Sequence, residues 1–290
     1  MTAANAHTAL LFGANGAVGL EVLRAIVDNN PLWDEVILVG RRFPSKVTDL
    51  LPDTSSGEEQ QQLPKVTQIQ LSDLSNVDEN EELLQMKADA CFIAVGSGSP
   101  QELNLRKWHS VEVDLIASIT RLCDKIQVKT IALLSAVDTE DEPIPFTQDE
   151  LNTADAKPLG WMEMVSKYTR MMGLKELAVI NESKHIPFVR IFRPSNIITK
   201  EIRYGWLDWT LFKFHKVFDP IIPTKYHSVK VGLLGKAMVN DAAQMLSSKR
   251  EGDGVSSRVT KHTYGDFLNI MAKKSEEGGG DTQNEKNGEL

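Results

Sequence analysis

Three glycines set three residues apart, Gly13, Gly16 and Gly19, stand between the apolar run Thr8-Ala9-Leu10-Leu11-Phe12 and a helix-patterned segment from Leu20 to Val27. A strand, a glycine turn and a helix in that order can hold the pyrophosphate of a dinucleotide. Each glycine has a physical task. Gly13 permits a turn that a Cβ would obstruct, Gly16 lets the backbone approach the pyrophosphate, and Gly19 lets the helix pack closely on the strand. The helix start then turns free N–H groups and the positive end of its dipole toward the anion. The candidate cofactor contacts of this turn are Gly13, Asn15, Gly16, Ala17, Val18 and Gly19.

Which dinucleotide would bind depends on the end of the next strand. Val36-Ile37-Leu38-Val39-Gly40 reads as that strand, and Arg41-Arg42 follow it. An NAD-selective site carries an Asp or Glu there to hold the ribose 2′-hydroxyl. Two guanidiniums without a neighbouring carboxylate suit a 2′-phosphate instead, because Arg forms charge-assisted, often bidentate bonds to phosphate. The pattern therefore points to NADP(H) in preference to NAD(H), with a solvated arginine pair as the plain alternative.

The elements that must position these residues alternate along the chain. Val66 to Leu71 reads as a third strand, Ala88 to Val95 as a fourth, Val128 to Ser135 as a fifth and Ile186 to Asn196 as a sixth, ended by Pro194. Helical segments run from Leu103 to Ile126, from Trp161 to Glu182, and up to Ala243. After the fourth strand, Val95 and Gly96 open a Gly96-Ser97-Gly98-Ser99 stretch that lets a cofactor pass close to the backbone. Apolar strands alternating with helices imply an α/β fold, a Rossmann-type doubly wound parallel sheet with ligands beyond the C-terminal strand ends. A chain of 290 residues with this pattern reads as one domain over 1–272, in which 196–250 contribute a small C-terminal substrate lobe. Pro52 to Pro64 is a polar insertion, and 273–290 read as a disordered tail.

Composition narrows the partners and the compartment. A net charge of −8 with no basic stripe excludes nucleic acid as an expected partner. The two cysteines, Cys91 and Cys123, lie in apolar settings and read as buried reduced thiols, which fits the cytoplasm. The first strand begins by Thr8, leaving no room for a signal peptide, and no apolar run is long enough to span a bilayer. Tyr204, Trp206, Trp209, Phe212, Phe214 and Phe218 concentrate in 202–219. That segment reads first as the wall of a substrate lobe. Lys213, His215 and Lys216 at its edge leave open a dimer helix, or a helix making peripheral contact with a membrane such as an organelle surface.

The wider G-x-x-G-x-x-G spacing is similar to that of the extended and atypical short-chain dehydrogenase/reductases. From Thr8 to about Leu246 the chain resembles the Tat-interacting-protein oxidoreductases of that group. The matching pieces are the glycine turn, Val39-Gly40-Arg41-Arg42, Leu133-Leu134-Ser135, Phe192-Arg193-Pro194 and Tyr226-His227-Ser228-Val229. The resemblance implies that Ser135 orients a substrate carbonyl and that Tyr168 does acid/base work. It also implies that Asp73 and Leu74 contact the adenine, that Arg193 and Pro194 line the nicotinamide side, and that His227 lies near the substrate cleft. Asp73 reads equally well as a turn residue.

The family places a lysine four residues after the tyrosine. On one helix face an ammonium beside the phenol lowers its pKa from about 10 toward neutrality and grips the nicotinamide ribose. Here Met172 holds that position, and Ser195 replaces the glycine of the family's Arg-Pro-Gly. The register rests on Met172-Gly173-Leu174-Lys175-Glu176, which matches the family's Lys-Gly-x-x-Glu-like continuation. A rival register makes Lys175 the lysine and puts Met171 in the tyrosine's place. In the first register Met172 is expected to face the ribose.

Two functions follow from these residues. One is an NADP(H)-dependent oxidoreductase acting on a small carbonyl or alcohol, with an incomplete Tyr-Lys pair. The other is a catalytically weak or inactive NADPH-binding regulatory or scaffold protein, with a homodimer or another protein as partner. From Arg41 and Arg42, calorimetric titration is expected to show NADPH binding at least about tenfold tighter than NADH, about 1.4 kcal/mol. Arg41→Ala with Arg42→Ala is expected to erase the difference, and equal affinities in the parent chain would sink the 2′-phosphate assignment.

Overall fold

The computed structural model describes residues 7–28, 32–43, 63–97, 104–152, 161–199, 222–247 and 257–278. The strands of the main sheet are β1 (His7–Phe12), β2 (Trp33–Gly40), β3 (Lys65–Gln70), β4 (Ala90–Ile93), β5 (Thr130–Leu134), β6 (Phe188–Phe192) and β9 (Val259–His262). They lie in the order β3-β2-β1-β4-β5-β6-β9, and every pairing is parallel. This is the doubly wound Rossmann order with one strand added beyond β6. The short strands β7 (Ile197–Ile198) and β8 (Val229–Lys230) pair with each other outside it.

The inner strands β1, β2, β4, β5 and β6 are apolar on both faces because helices cover both. Ala9, Leu11, Val36, Leu38, Ala90 and Phe92 point to one core; Leu10, Phe12, Ile37, Val39, Cys91 and Ile93 point to the other. That strict alternation is the two-residue period of a strand, used twice. The first core is closed by α1 (Ala17–Asp28), α7 (Val231–Ser247) and α8 (Tyr264–Gly278). The second is closed by α4 (Leu115–Lys125) and α6 (Trp161–Glu182), which pack against each other. Cys91 and Cys123 are free, buried thiols of this second core. The short helices α2 (Glu81–Leu84), α3 (Leu105–His109) and α5 (Gln148–Asn152) lie in the connections.

Several elements differ from the sequence-based expectation. The helix expected from Leu103 to Ile126 is broken by a π-helical turn, Ser110–Asp114, between α3 and α4. The second half of the expected substrate lobe, 231–247, is instead a layer of the main fold: α7 lies along α1, with Leu234, Ala237 and Met238 fully buried. The aromatic segment 202–219 and residues 52–62 of the polar insertion lie outside the described residues. Strand β9 and helix α8 stand where the sequence pattern marks no element, and α8 continues past Lys273 to Gly278. The rest of the expected tail also lies outside the described residues. Among the described residues, no helix is long and apolar enough to cross a membrane and no metal-ligating cluster exists.

The α1–α7 contact depends on a missing side chain. A Cβ built on Gly235 would lie 2.7 Å from the Glu21 carbonyl carbon and 2.9 Å from its Cβ, so the helices touch backbone to backbone. Gly235→Ala is expected to lower stability by about 1–3 kcal/mol through overpacking, although alanine favours helix. Urea unfolding measures this, and an unchanged midpoint would contradict the close packing.

Candidate functional site

Apart from Tyr168, which lies on α6, the sequence-derived site residues follow the C-terminal ends of β1 to β6, in a sheet whose strand order reverses between β1 and β4. Gly13 leaves β1 at φ +90°, the left-handed region open to glycine. A Cβ there would sit 2.6 Å from the Ala94 carbonyl and 2.9 Å from the Val95 nitrogen. The Gly16 N–H closes the turn on the Gly13 carbonyl at 2.9 Å, and α1 begins at Ala17. A Cβ on Gly19 would collide with the Gly13 carbonyl, so the helix start rests directly on the turn. Asn15 stays exposed at its tip. The result is a backbone cradle in front of a helix N-terminus, the geometry that receives a pyrophosphate.

Beyond β2, Arg41 and Arg42 are both exposed. Gln70 donates to the Arg41 carbonyl at 3.1 Å, tying the β2 exit to β3. Asp73 accepts from the Ser75 hydroxyl (2.7 Å) and the Ser75 N–H (2.9 Å), closing a turn. The Ser75 bonds, and the nearby Arg41 charge, hold the Asp73 carboxyl below its ordinary range. Leu74 packs against the second core.

The β4 exit is gripped from behind. Ser97 donates its N–H (2.7 Å) and its hydroxyl (2.9 Å) to Glu112 Oε1, and Lys175 Nζ donates to Glu112 Oε2 (2.9 Å) and to the Val95 carbonyl (3.1 Å). Both charged side chains are deeply buried, at 3% and 5% exposure. Burial alone would raise the Glu112 carboxyl, but the Lys175 charge and the Ser97 and Lys175 hydrogen bonds outweigh it and hold it below the ordinary range. The π-helical turn supplies the angle that sends Glu112 inward.

Ser135, at the end of β5, donates its hydroxyl to Glu176 Oε1 at 2.6 Å. The same carboxylate takes a bidentate pair from Arg193, Nε to Oε1 at 2.8 Å and the terminal nitrogen to Oε2 at 2.6 Å. Thr139 adds a bond at 3.3 Å, and Lys261 stands 3.7 Å away. Ser135, Glu176 and Arg193 thus lock the ends of β5 and β6 to α6. The Ser135 proton points at the carboxylate, leaving oxygen lone pairs but no proton for a substrate carbonyl. Pro194 holds the same corner through its carbonyl, which accepts from the Val137 N–H at 3.0 Å.

Tyr168 is half-buried on α6, its ring stacked on Trp108 with centroids 6.1 Å apart. Met172 does not face an open ribose site as the first register leads one to expect. It is 4% exposed in an apolar cluster with Leu105, Trp108, Ala136, Phe146, Met171 and Leu174. Arg170 explains the difference: it donates to the Ile144 (2.6 Å) and Pro145 (2.7 Å) carbonyls and pairs with Glu150 at 2.9 Å. These bonds draw 144–150 over α6 and place Phe146 in the cluster, under the Arg170 guanidinium. His227 donates from Nε2 to the Ile222 carbonyl at 3.1 Å and packs on Tyr264. Glu112 and Glu176 are the residues that the reading of motifs passed over. Glu176 stood in the Lys-Gly-x-x-Glu-like match, whereas nothing in the local sequence marks Glu112.

No protein-family model and no curated protein matches this sequence. Solved structures do match it over most of its length. The oxidoreductase ylbE from Lactococcus lactis superposes with a TM-score of 0.52 at 14% identity, over 92% of this chain and 97% of that one. WbmH of Bordetella bronchiseptica, solved with NAD+, gives a TM-score of 0.53 at 14% identity over 89% and 76%. MoeE5, solved with UDP-glucose and NAD, gives 0.54 at 13% over 93% and 82%. The likeness shows the fold.

With Met172 4% exposed, a charge placed there would be buried with it. Met172→Lys is expected to destabilise the chain by about 3–5 kcal/mol, because the ammonium would be stranded among apolar side chains. Thermal unfolding checks this; an unchanged melting temperature together with raised turnover would restore the open-cleft picture.

Proposed function

We propose that this chain binds NADP(H) at the β1–α1 turn and is an oxidoreductase of the short-chain dehydrogenase/reductase type, acting on a small carbonyl or alcohol. The observation that carries the reading is Gly13: its left-handed backbone and its contact with Ala94 exclude any side chain and leave a cradle of backbone in front of the α1 N-terminus. The folds that resemble it support a dinucleotide there, since two of them are solved with NAD. Exposed Arg41 and Arg42 support the 2′-phosphate. The resemblance to the Tat-interacting-protein oxidoreductases supports the reaction class and the role of Tyr168.

In this reading the dinucleotide, when bound, supplies or accepts the hydride. Gly13, Asn15, Gly16, Ala17, Val18 and Gly19 hold its pyrophosphate, while Asp73 and Leu74 border the adenine side. Val95, Gly96, Arg193 and Pro194 border the nicotinamide side. Tyr168 gives the proton to the substrate oxygen. Ser135 contributes through its place in the Glu176–Arg193 lock, and as an acceptor of a substrate hydroxyl.

A second reading, an NADP(H)-binding regulatory or scaffold protein without turnover, is favoured by two observations. The Ser135 proton is committed to Glu176, and the position of the family's lysine is an apolar methionine inside a packed cluster. The two readings separate in one experiment: calorimetric titration with NADPH beside NADPH oxidation against small ketones, quinones and aldehydes. Gly16→Val is expected to abolish binding with a parent-like circular dichroism spectrum, and Tyr168→Phe to lower turnover by about 10²- to 10⁴-fold. Tight NADPH binding with no oxidation by any acceptor would replace the first reading with the second. Binding of neither nucleotide would overturn both.

A further inference from the structure

The β4 exit loop forms one wall of the crevice whose other wall is the glycine turn. Gly13 touches Ala94 and Val95 so closely that no side chain fits between them, and the Ala94 N–H bonds the Phe12 carbonyl at 3.0 Å. A buried ion pair stands behind this wall. Lys175 holds the Val95 carbonyl, Glu112 holds the N–H and the hydroxyl of Ser97, and the two are joined at 2.9 Å. The contacts reach the loop from α6 and from the π-helical turn. Gly96 lies between the two anchored residues, and a Cβ there would meet Glu112 Oε1 at 3.5 Å.

An ion pair this deeply buried costs desolvation that apolar side chains of the same volume would not, so core filling alone does not explain it. A loop has no ladder to fix its carbonyls and N–H groups, and it wanders unless other groups hold them. Val95 to Ser97 project past the end of β4, beyond the last bond of the ladder. Here the holding groups are charged, and charge-assisted bonds are the stronger kind.

We infer that Glu112 and Lys175 are positioning residues for the nicotinamide half of the dinucleotide: together they fix Val95–Ser97 as the β4 wall of the crevice without touching the reacting atoms. The inference rests on the dinucleotide reading above. It also gives Lys175 a task different from the proton-relay lysine of the rival register. The adenine half lies on the other side of the turn, toward β2 and β3, and does not depend on the pair.

The test compares the parent chain with Ser97→Ala and with the paired substitution Glu112→Leu/Lys175→Met, which removes both buried charges at once and strands neither. The probes are NADPH, NADH and 2′,5′-ADP, the last lacking the nicotinamide half, together with amide hydrogen exchange in the absence of nucleotide. The paired variant is expected to exchange the amides of 95–97 at least about tenfold faster than the parent, at a similar melting temperature. Its affinities for NADPH and NADH are expected to fall by the same factor, about tenfold, and those of Ser97→Ala by about threefold. Affinity for 2′,5′-ADP is expected to stay at the parent value in both. If the paired variant does not fold, Ser97→Ala decides alone, since it deletes one hydroxyl and leaves the ion pair in place. Parent-like NADPH affinity in the variants, or a loss shared equally by 2′,5′-ADP, overturns the inference and leaves the dinucleotide reading standing. A parent chain that binds none of the three probes overturns that reading, and the inference with it.

Discussion

At the switch point of the sheet, β1 and β4 run side by side in register, Ala9 against Ala90 through Phe12 against Ile93, and then part. β1 continues into α1 on one face, and β4 leads toward α4 on the other. The two exits are still in contact where they diverge, because the Ala94 carbonyl occupies the space a Cβ on Gly13 would need. The crevice is therefore no separate construction. It is the gap that opens when two strands held by a ladder must send their chains to opposite faces. Beside that gap, Val95 and Ser97 of the β4 exit are held by Lys175 and Glu112.

Bracing is done largely with buried charge. Glu112 pairs with Lys175, Glu176 with Arg193, and Asp241 with Arg190, and all six side chains are largely or fully buried. Each pair joins a helix or its approach to a different element. Arg190 of β6 reaches Asp241 of α7 at 2.7 Å, and the Thr260 hydroxyl of β9 at 2.7 Å. Such pairs add little net stability relative to apolar packing, but removing one partner alone is costly. Their effect is to make a shifted register of these elements expensive. At the ends of β5 and β6, the Ser135 hydroxyl and the Arg193 guanidinium are both committed to Glu176 and hold those strand ends in place.

The sheet was legible in the sequence because a strand buried on both faces is a short, nearly continuous apolar run; β1, β2, β4, β5 and β6 all have that character. β9 escaped because Val259-Thr260-Lys261-His262 is short and mixed, taking its place from the ladder with β6 instead of from its own pattern. The glycine turn was readable residue by residue, since each glycine answers a local steric demand. The Glu112–Lys175 pair was not, because its partners are 63 positions apart and Glu112 turns inward only where the helix slips into a π turn. Burial of Met172 likewise depends on Phe146, which arrives from a connection held by Arg170. Periodicity within α6 carries no trace of what covers it.

The order in which the sheet is completed has a consequence for synthesis. β6 lies between β5 and β9, and β9 is the last of the described strands to be made. While the ribosome is still adding residues after α7, β6 has one ladder formed and one row of backbone donors and acceptors exposed, an open template for another nascent chain. When β9 docks, the Val189 N–H finds the Arg258 carbonyl at 2.8 Å and the Arg193 N–H finds that of His262 at 2.8 Å. α8 then brings Phe267 onto Phe192. The strand and helix that cover this side of β6 are thus the last of the described elements to be made, and until then that row of donors and acceptors has no partner in the sheet.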